Sequence, residues 1–294
     1  MNKDNEKNYK SRDFARSLCF LAPSLIGVAV FFVLPFCVVI YYSLIDGVGT
    51  RNFVGFENFI KLFQNSSFIL AAKNTLHFSV FAVPLAVILA ILLAVFLEER
   101  IPGRSLFRSF FLSPMMVPVA SVVLIWQVLF SYNGTINQLL ELFNIAKTDW
   151  LYSEHAQVVV IILFLWKNLG YNMILFMAAL NNVPKELLEV ADVEGAGELY
   201  KFFQIKLRFI SPTILFVTIL SLINSFKVFR EIYLLAGDYP YESLYMLQHF
   251  MNNTFHSLDY QKLSAAAIVM SIVMVAVIFI LFRAEDHFGK DLEG

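Results

Sequence analysis

Two groups of residues in this 294-residue chain have the types and spacings that could do chemistry. The first is a polar, helix-forming island from Pro184 to Leu207, set between two long apolar runs. Pro184 suits a first helical position, Glu186 and Glu189 favour the positive end of a helix, and Gly195 and Gly197 provide a bend. A second helical stretch then runs from Glu198 to Leu207. Leu187, Leu188, Val190 and Val193 interleave apolar surface with the charges of Glu186, Glu189, Asp192 and Glu194. That mixture suits a short element lying across a groove of a partner protein, so the chemistry is docking and not bond making.

The second group consists of polar residues inside apolar runs. Lys167, Asn168, Tyr171 and Asn172 fall in one run, and Ser221, Asn224, Ser225, Lys227 and Arg230 in the next. A charge at mid-depth in hydrocarbon costs at least about 2.5 kcal/mol unless paired or hydrated, so these groups are expected to face a bundle interior. One reading is interhelical hydrogen bonding, with a Lys or Arg paired to Glu231 or to another subunit. The other is a polar pathway, because hydroxyl, amide and aromatic groups are the types that bind sugars. Ser221 and Ser225, four residues apart, share one helix face with Asn224 adjoining it. Arg230 has the further option of snorkelling to the outer interface.

The elements that position these residues are membrane helices. Hydrophobic residues make up 59% of the chain and charged residues 15%, with a mean hydropathy of +0.68. A soluble domain is closer to half apolar and a quarter charged. Six runs can cross the roughly 30 Å of hydrocarbon that takes about 20 helical residues. They are Leu18 to Leu44, Asn74 to Leu97, Ser109 to Tyr132, Ala156 to Leu180, Phe209 to Gly237 and Leu263 to Phe282. Backbone polar groups must be satisfied internally in lipid, and runs this long exceed a barrel strand, so the expected fold is an all-α membrane protein. Pro35, Pro84, Pro114, Pro118 and Pro212 in or near the spans are expected to kink helices that neighbours re-satisfy. The first run is too long for a signal-peptide core and no A-x-A pattern follows it, so it counts as a span. Cys19 and Cys37 lie in that run, roughly 27 Å apart at about 1.5 Å per residue, which excludes a bridge between them.

Lys and Arg near the membrane set an expected orientation. Lys3, Lys7, Lys10, Arg12 and Arg16 in the amino-terminal tail, and Arg100, Arg104 and Arg108 after the second run, belong in the cytoplasm. Six spans then put both termini and the 184–207 island on the cytoplasmic side. No G-x-x-x-x-G-K-[ST] loop occurs, so any ATP is expected to be handled by another subunit. The five histidines show no metal-ligand spacing, and no basic-aromatic patch suggests nucleic acid. Two other classes fit the sequence less well. A lipid-linked transferase needs an acidic or His cluster at one membrane face, and only Glu98-Glu99 and Glu285-Asp286 are adjacent acids. A secondary transporter usually needs intramembrane carboxylates, and Glu231 is the single acid well inside a span.

The order Glu189-Val190-Ala191, Gly195-Ala196 and Ile205-Lys206-Leu207 resembles the EAA loop of the membrane subunits of bacterial ABC importers. That family usually has Ala where this chain has Val190, and Pro where it has Arg208. Four further segments resemble its sugar-importing branch: Gly55-Phe56-Glu57-Asn58-Phe59, Gly103-Arg104-Ser105-Leu106-Phe107-Arg108, Asp149-Trp150-Leu151, and Trp166 to Met173. The resemblance implies a cytoplasmic tail over 1–17, a six-helix permease domain over 18–283 with a coupling loop at 181–208, and a cytoplasmic tail over 284–294. It implies that Glu186, Leu187, Glu189, Ala191, Asp192, Gly195 and Ala196 contact an ATPase. It also implies a carbohydrate cargo and sugar contacts at Tyr171, Ser221 and Ser225; the polar helix face adds Asn224 and Lys227 to the expected substrate pathway, with a helix-interface role as the alternative for Lys227. The implied partners are a second permease subunit, two ATPase subunits that use ATP and magnesium, an extracellular or periplasmic binding protein, and membrane lipid. The chain itself is implied to bind no cofactor or metal, to catalyse no reaction, and to lie in the bacterial cytoplasmic membrane as a multi-pass protein.

Overall fold

A computed structural model describes residues 17, 20–98 and 102–289. The basic tail from Lys3 to Arg16, Cys19, Glu99, Arg100 and Lys290 lie outside the described residues. The described residues form helices and loops with one isolated antiparallel bridge between Ile45 and Phe53. Among the described residues, six stretches are long and apolar enough to cross a membrane: Phe20–Ser43, Ser66–Phe96, Val119–Leu142, Ala156–Leu180, Ser211–Ala236 and Tyr260–Asp286. The chain divides into two compact units, residues 1–64 with 254–271, and residues 65–253 with 272–294.

In the first unit, α1 (Phe20–Ser43) widens to a π-helical turn over Ala29–Val33. Pro35 follows one residue beyond it, after Leu34; its ring lacks an N–H and crowds the carbonyl four residues back, that of Phe31, and the wider turn is a way to absorb that. The loop after α1 is held by side chains. Asp46 accepts from the Thr50 hydroxyl at 2.6 Å and from the Asn52 amide and side chain at 2.9 and 3.1 Å. These bonds, the Thr50 hydroxyl first, hold the Asp46 carboxyl below the usual range. Asn58, on α2 (Glu57–Phe63), donates to the carbonyls of Ser43 and Ile45. Gly55 turns the chain at φ +58°. The Gly55 to Phe59 segment thus has a local physical role: it closes this loop.

In the second unit, α3 (Ser66–Phe96) is capped by Asn65, whose side chain accepts from the Phe68 amide at 3.0 Å. It therefore starts eight residues before the span expected from hydropathy alone. Ala82, Ala86, Ala90 and Ala94 are fully buried along one stripe, which lets α7 (Ala156–Leu180) approach closely. Phe78 and Phe164 meet edge to face at 5.6 Å in the core that these helices share.

The third expected span, Ser109 to Tyr132, is not one helix. It is α4 (Arg104–Met116) followed by α5 (Val119–Phe130) and, after a turn, α6 (Thr135–Leu142). Val117 is extended at ψ 130° because the residue before a proline avoids the helical region, and Pro118 then caps α5. The apolar stretch long enough to cross accordingly shifts to Val119–Leu142. Pro84 and Pro114 remain inside helices, and Pro212 sits in a first turn, where no intrahelical N–H bond is lost.

Asn137 on α6 is fully buried. It donates to the carbonyls of Tyr132 and Thr148 and accepts from the Thr148 amide and the Trp150 indole, all between 2.8 and 3.1 Å. Asn137→Ala is expected to cost about 1–3 kcal/mol for each donor left buried and unpaired. The check is limited proteolysis of the 133–155 loop together with the thermal midpoint; wild-type values for both would show that other contacts hold the loop. His249, on α12 (Leu247–His256), is likewise a packing group: it is fully buried, accepts from the Met246 amide, and burial lowers its pKa to about 4.

Candidate coupling loop and transmembrane cavity

The polar island folds as helix, bend, helix. The first helix, α8 (Lys185–Val193), starts one residue later than expected, with Pro184 as its cap. It ends in a Schellman motif: the Ala196 amide donates to the Ala191 carbonyl at 2.9 Å and the Gly195 amide to the Asp192 carbonyl at 3.1 Å. Gly195 takes φ +81°, a conformation that costs other residues roughly 1–2 kcal/mol. Gly197 is extended and only caps the next helix, so the bend rests on Gly195 alone.

The helical stretch 198–209, α9, contains a π-helical segment over Lys201–Lys206 that no sequence signal announced. The Lys201 ammonium is largely buried and bonds both Asp192 and Glu198 at 2.5 Å, tying α9 to α8. These bonds, that to Asp192 first, raise its pKa. Lys206 pairs with Glu98 at the end of α3 at 3.0 Å. On α8, Ala191 is buried and Leu188 packs against the core, while Leu187, Val190 and Val193 are exposed beside Glu186 and Glu189. Glu186, Leu187 and Glu189 thus stand on the free face, Asp192 is clamped, and Gly195 and Ala196 form the bend.

A second feature lies where α7 meets α10 (Ser211–Lys227) and α11 (Phe229–Ala236). A cavity of about 320 Å³ opens here. Lys167, Asn168 and Tyr171 line it from α7, Asn224 and Lys227 from α10, and Arg230 and Glu231 from α11, with Met115 from α4. Lys167 Nζ donates to Glu231 Oε1, which is the Lys–Glu231 pairing that one sequence reading expects. Glu231 is buried, and its Oε2 has no partner among the described residues. Asn224 donates to the Asn168 side-chain oxygen at 3.0 Å, and Asn168 donates to the Phe164 carbonyl at 2.8 Å.

The five residues assigned to a pathway therefore separate. Tyr171, Asn224 and Lys227 come together at the cavity; Ser221 and Ser225 do not line it and are 0% and 1% exposed. The Ser221 hydroxyl accepts from Asn172 on α7 at 3.0 Å. The Ser225 hydroxyl donates to the Leu222 carbonyl at 2.7 Å, which makes Ser79 of α3 the donor in their 2.9 Å contact. The bonds from Asn172 and Ser79 are interhelical, each worth roughly 0.6 kcal/mol in a membrane bundle. Ser79 gave no signal of its own, being a single small hydroxyl flanked by Phe78 and Val80. Close packing carries Gly170 as well: a Cβ there would stand 1.9 Å from the Phe111 carbonyl oxygen of α4.

Residues 64–294 match the family model described as binding-protein-dependent transport system inner membrane component. The sn-glycerol-3-phosphate transport system permease protein UgpA of Escherichia coli O6:K15:H31 is 29% identical over 272 residues, covering 90% of this chain and 91% of the relative. UgpA of Yersinia pseudotuberculosis serotype I is 28% identical over 267 residues, covering 89% and 91%. The fold is similar to a chain in the crystal structure of a bacterial ABC transporter involved in import of the acidic polysaccharide alginate. That match has a TM-score of 0.80 and 22% identity, and covers 97% of this chain and 99% of the other. The match to the family model spans well over half of the sequence, and the chain belongs to the binding-protein-dependent transport system inner membrane components.

Proposed function

We propose that this chain is one permease half of an ATP-driven importer for a carbohydrate, coupled to its ATPase through the 184–207 loop. Its relatives are named as permeases of a sn-glycerol-3-phosphate transport system, and a structure of similar fold was solved with an alginate pentasaccharide-bound periplasmic protein. A second permease subunit supplies the other half of the pathway, two ATPases bind ATP and magnesium on the cytoplasmic side, and a binding protein delivers the cargo from outside. The six-helix permease domain spans 18–283, the coupling loop 181–208, and the flanking tails and both termini are cytoplasmic in a multi-pass inner-membrane protein. The chain holds no cofactor and is a gate, not an enzyme.

The observation that carries this reading is the mechanical continuity from loop to cavity. The exposed Leu187, Val190 and Val193, set among carboxylates, give α8 a face for a groove on the ATPase. The Lys201 clamp and the Gly195 bend make α8 and α9 move as one body. α9 runs directly into α10, which bears Asn224 and Lys227 at the cavity. Closure of the ATPases therefore displaces the helix that lines the pathway, opening it outward.

The test uses Glu189→Lys and Gly195→Ala, with Gly197→Ala as control. Gly195→Ala opposes the positive φ by roughly 1–2 kcal/mol, about five- to thirty-fold in the equilibrium between bent and unbent loop. Uptake is expected to fall by up to that factor while ATP hydrolysis continues uncoupled and membrane insertion is unchanged. A Cβ at Gly197 meets nothing within 4 Å, so Gly197→Ala is expected to transport normally. Normal coupled uptake by both Glu189→Lys and Gly195→Ala would sink the coupling role.

A further inference from the structure

The cavity beside the Lys167–Glu231 pair carries an unbalanced charge. Lys167, Lys227 and Arg230 line it with three cations against the one carboxylate of Glu231, which leaves two net positive charges. Lys167 is engaged with Glu231, whereas Lys227 and Arg230 are exposed and have no ion-pair partner among the described residues. Both fall within Ser211–Ala236, a stretch long and apolar enough to cross a membrane; at about 1.5 Å per residue, they stand roughly 14 and 9 Å short of its end at Ala236. Cations at that depth must be paired or hydrated.

A hydrated cavity with excess positive charge concentrates anions. Neutral hydroxyl recognition has no need of that excess, since Asn168, Asn224 and Tyr171 already supply amides and a phenol. Arg230 adds a planar fork that matches a carboxylate or phosphate with two parallel hydrogen bonds. Glu231 Oε2, buried and unpartnered, supplies an acceptor for a hydroxyl.

We infer that the cargo is an anionic carbohydrate, its carboxylate or phosphate drawn to Lys227 and Arg230 and its hydroxyls to Glu231 Oε2 and the two amides. The cargo assignment rests on the permease reading. The charge preference of the cavity does not.

The test uses the whole importer, with its second permease, ATPases and binding protein, carrying Cys19→Ser and Cys37→Ser and a single new cysteine. Asn224→Cys is labelled with a sulfonate-bearing and with a trimethylammonium-bearing methanethiosulfonate, each rate divided by that with a free thiol. The sulfonate reagent is expected to be favoured by on the order of tenfold or more, a preference that shrinks when Lys227→Gln and Arg230→Gln are added. Tyr171→Cys provides a second position should Asn224→Cys fail to assemble. A normalised ratio at or below one overturns the proposal, and means that carboxylates of the second permease neutralise both cations.

A second arm measures protection of the cysteine by trigalacturonate and by glucose 6-phosphate, against galactotriose and glucose at equal millimolar concentration. Stronger protection by the uronate assigns a carboxylated sugar, and stronger protection by the phosphate assigns a phosphorylated one. Equal or stronger protection by the neutral sugars, no protection by any of the four included, overturns the cargo assignment. The reagent ratio needs no coupling to ATP, so it can fail while Glu189→Lys still uncouples uptake, and the reverse.

Discussion

Gly170→Leu is expected to abolish the assembled protein, and Gly170→Ala to lower its thermal midpoint by several degrees. A Cβ at this position would stand 1.9 Å from the carbonyl oxygen and 2.4 Å from the carbonyl carbon of Phe111, and 3.0 Å from the Leu112 nitrogen. All three are backbone atoms of α4, so no side-chain rotation relieves the clash and the two helices must part. Overpacking of this kind costs about 1–3 kcal/mol for small groups. The sign is what makes the test informative. Elsewhere in a helix interior Gly→Ala stabilises by roughly 0.5–1 kcal/mol, and Gly27, where a Cβ meets nothing within 4 Å, is the matched control. Thermal unfolding followed by size-exclusion fluorescence gives the comparison. A Gly170→Ala variant as stable as Gly27→Ala would mean that α4 and α7 do not approach so closely.

The second large effect is expected at the ion pair under the cavity, and it should be asymmetric. Lys167→Met leaves the Glu231 carboxylate, whose side chain is 7% exposed, with neither oxygen partnered. Glu231→Met leaves the Lys167 ammonium, whose side chain is 33% exposed and can take up water in the cavity. Breaking a fully buried pair from one side costs about 3–5 kcal/mol, and the exposure of Lys167 reduces that figure. Lys167→Met is therefore expected to destabilise more than Glu231→Met, and the double variant less than Lys167→Met alone, because no uncompensated charge remains. Thermal midpoints of the three variants in lipid nanodiscs measure this. Additive losses in the double variant would show that the two side chains do not act as a pair.

What the sequence determined by itself is what depends on neighbours in the chain. Hydropathy over about 20 residues specifies a membrane helix whatever it packs against, and six such stretches appear. The helix-bend-helix of the island was legible for the same reason: the Schellman bonds of Ala196 and Gly195 reach back only five and three residues, and the positive φ selects glycine locally. The start of α3 was equally local, since Asn65 caps it through the Phe68 amide.

The tertiary structure decided the rest. Periodicity places Ser221, Asn224 and Ser225 near one face of α10 but carries no information about what stands opposite. Asn172 and Ser79, 49 and 146 residues away in the chain, claim the two serines, and only Asn224 reaches the cavity.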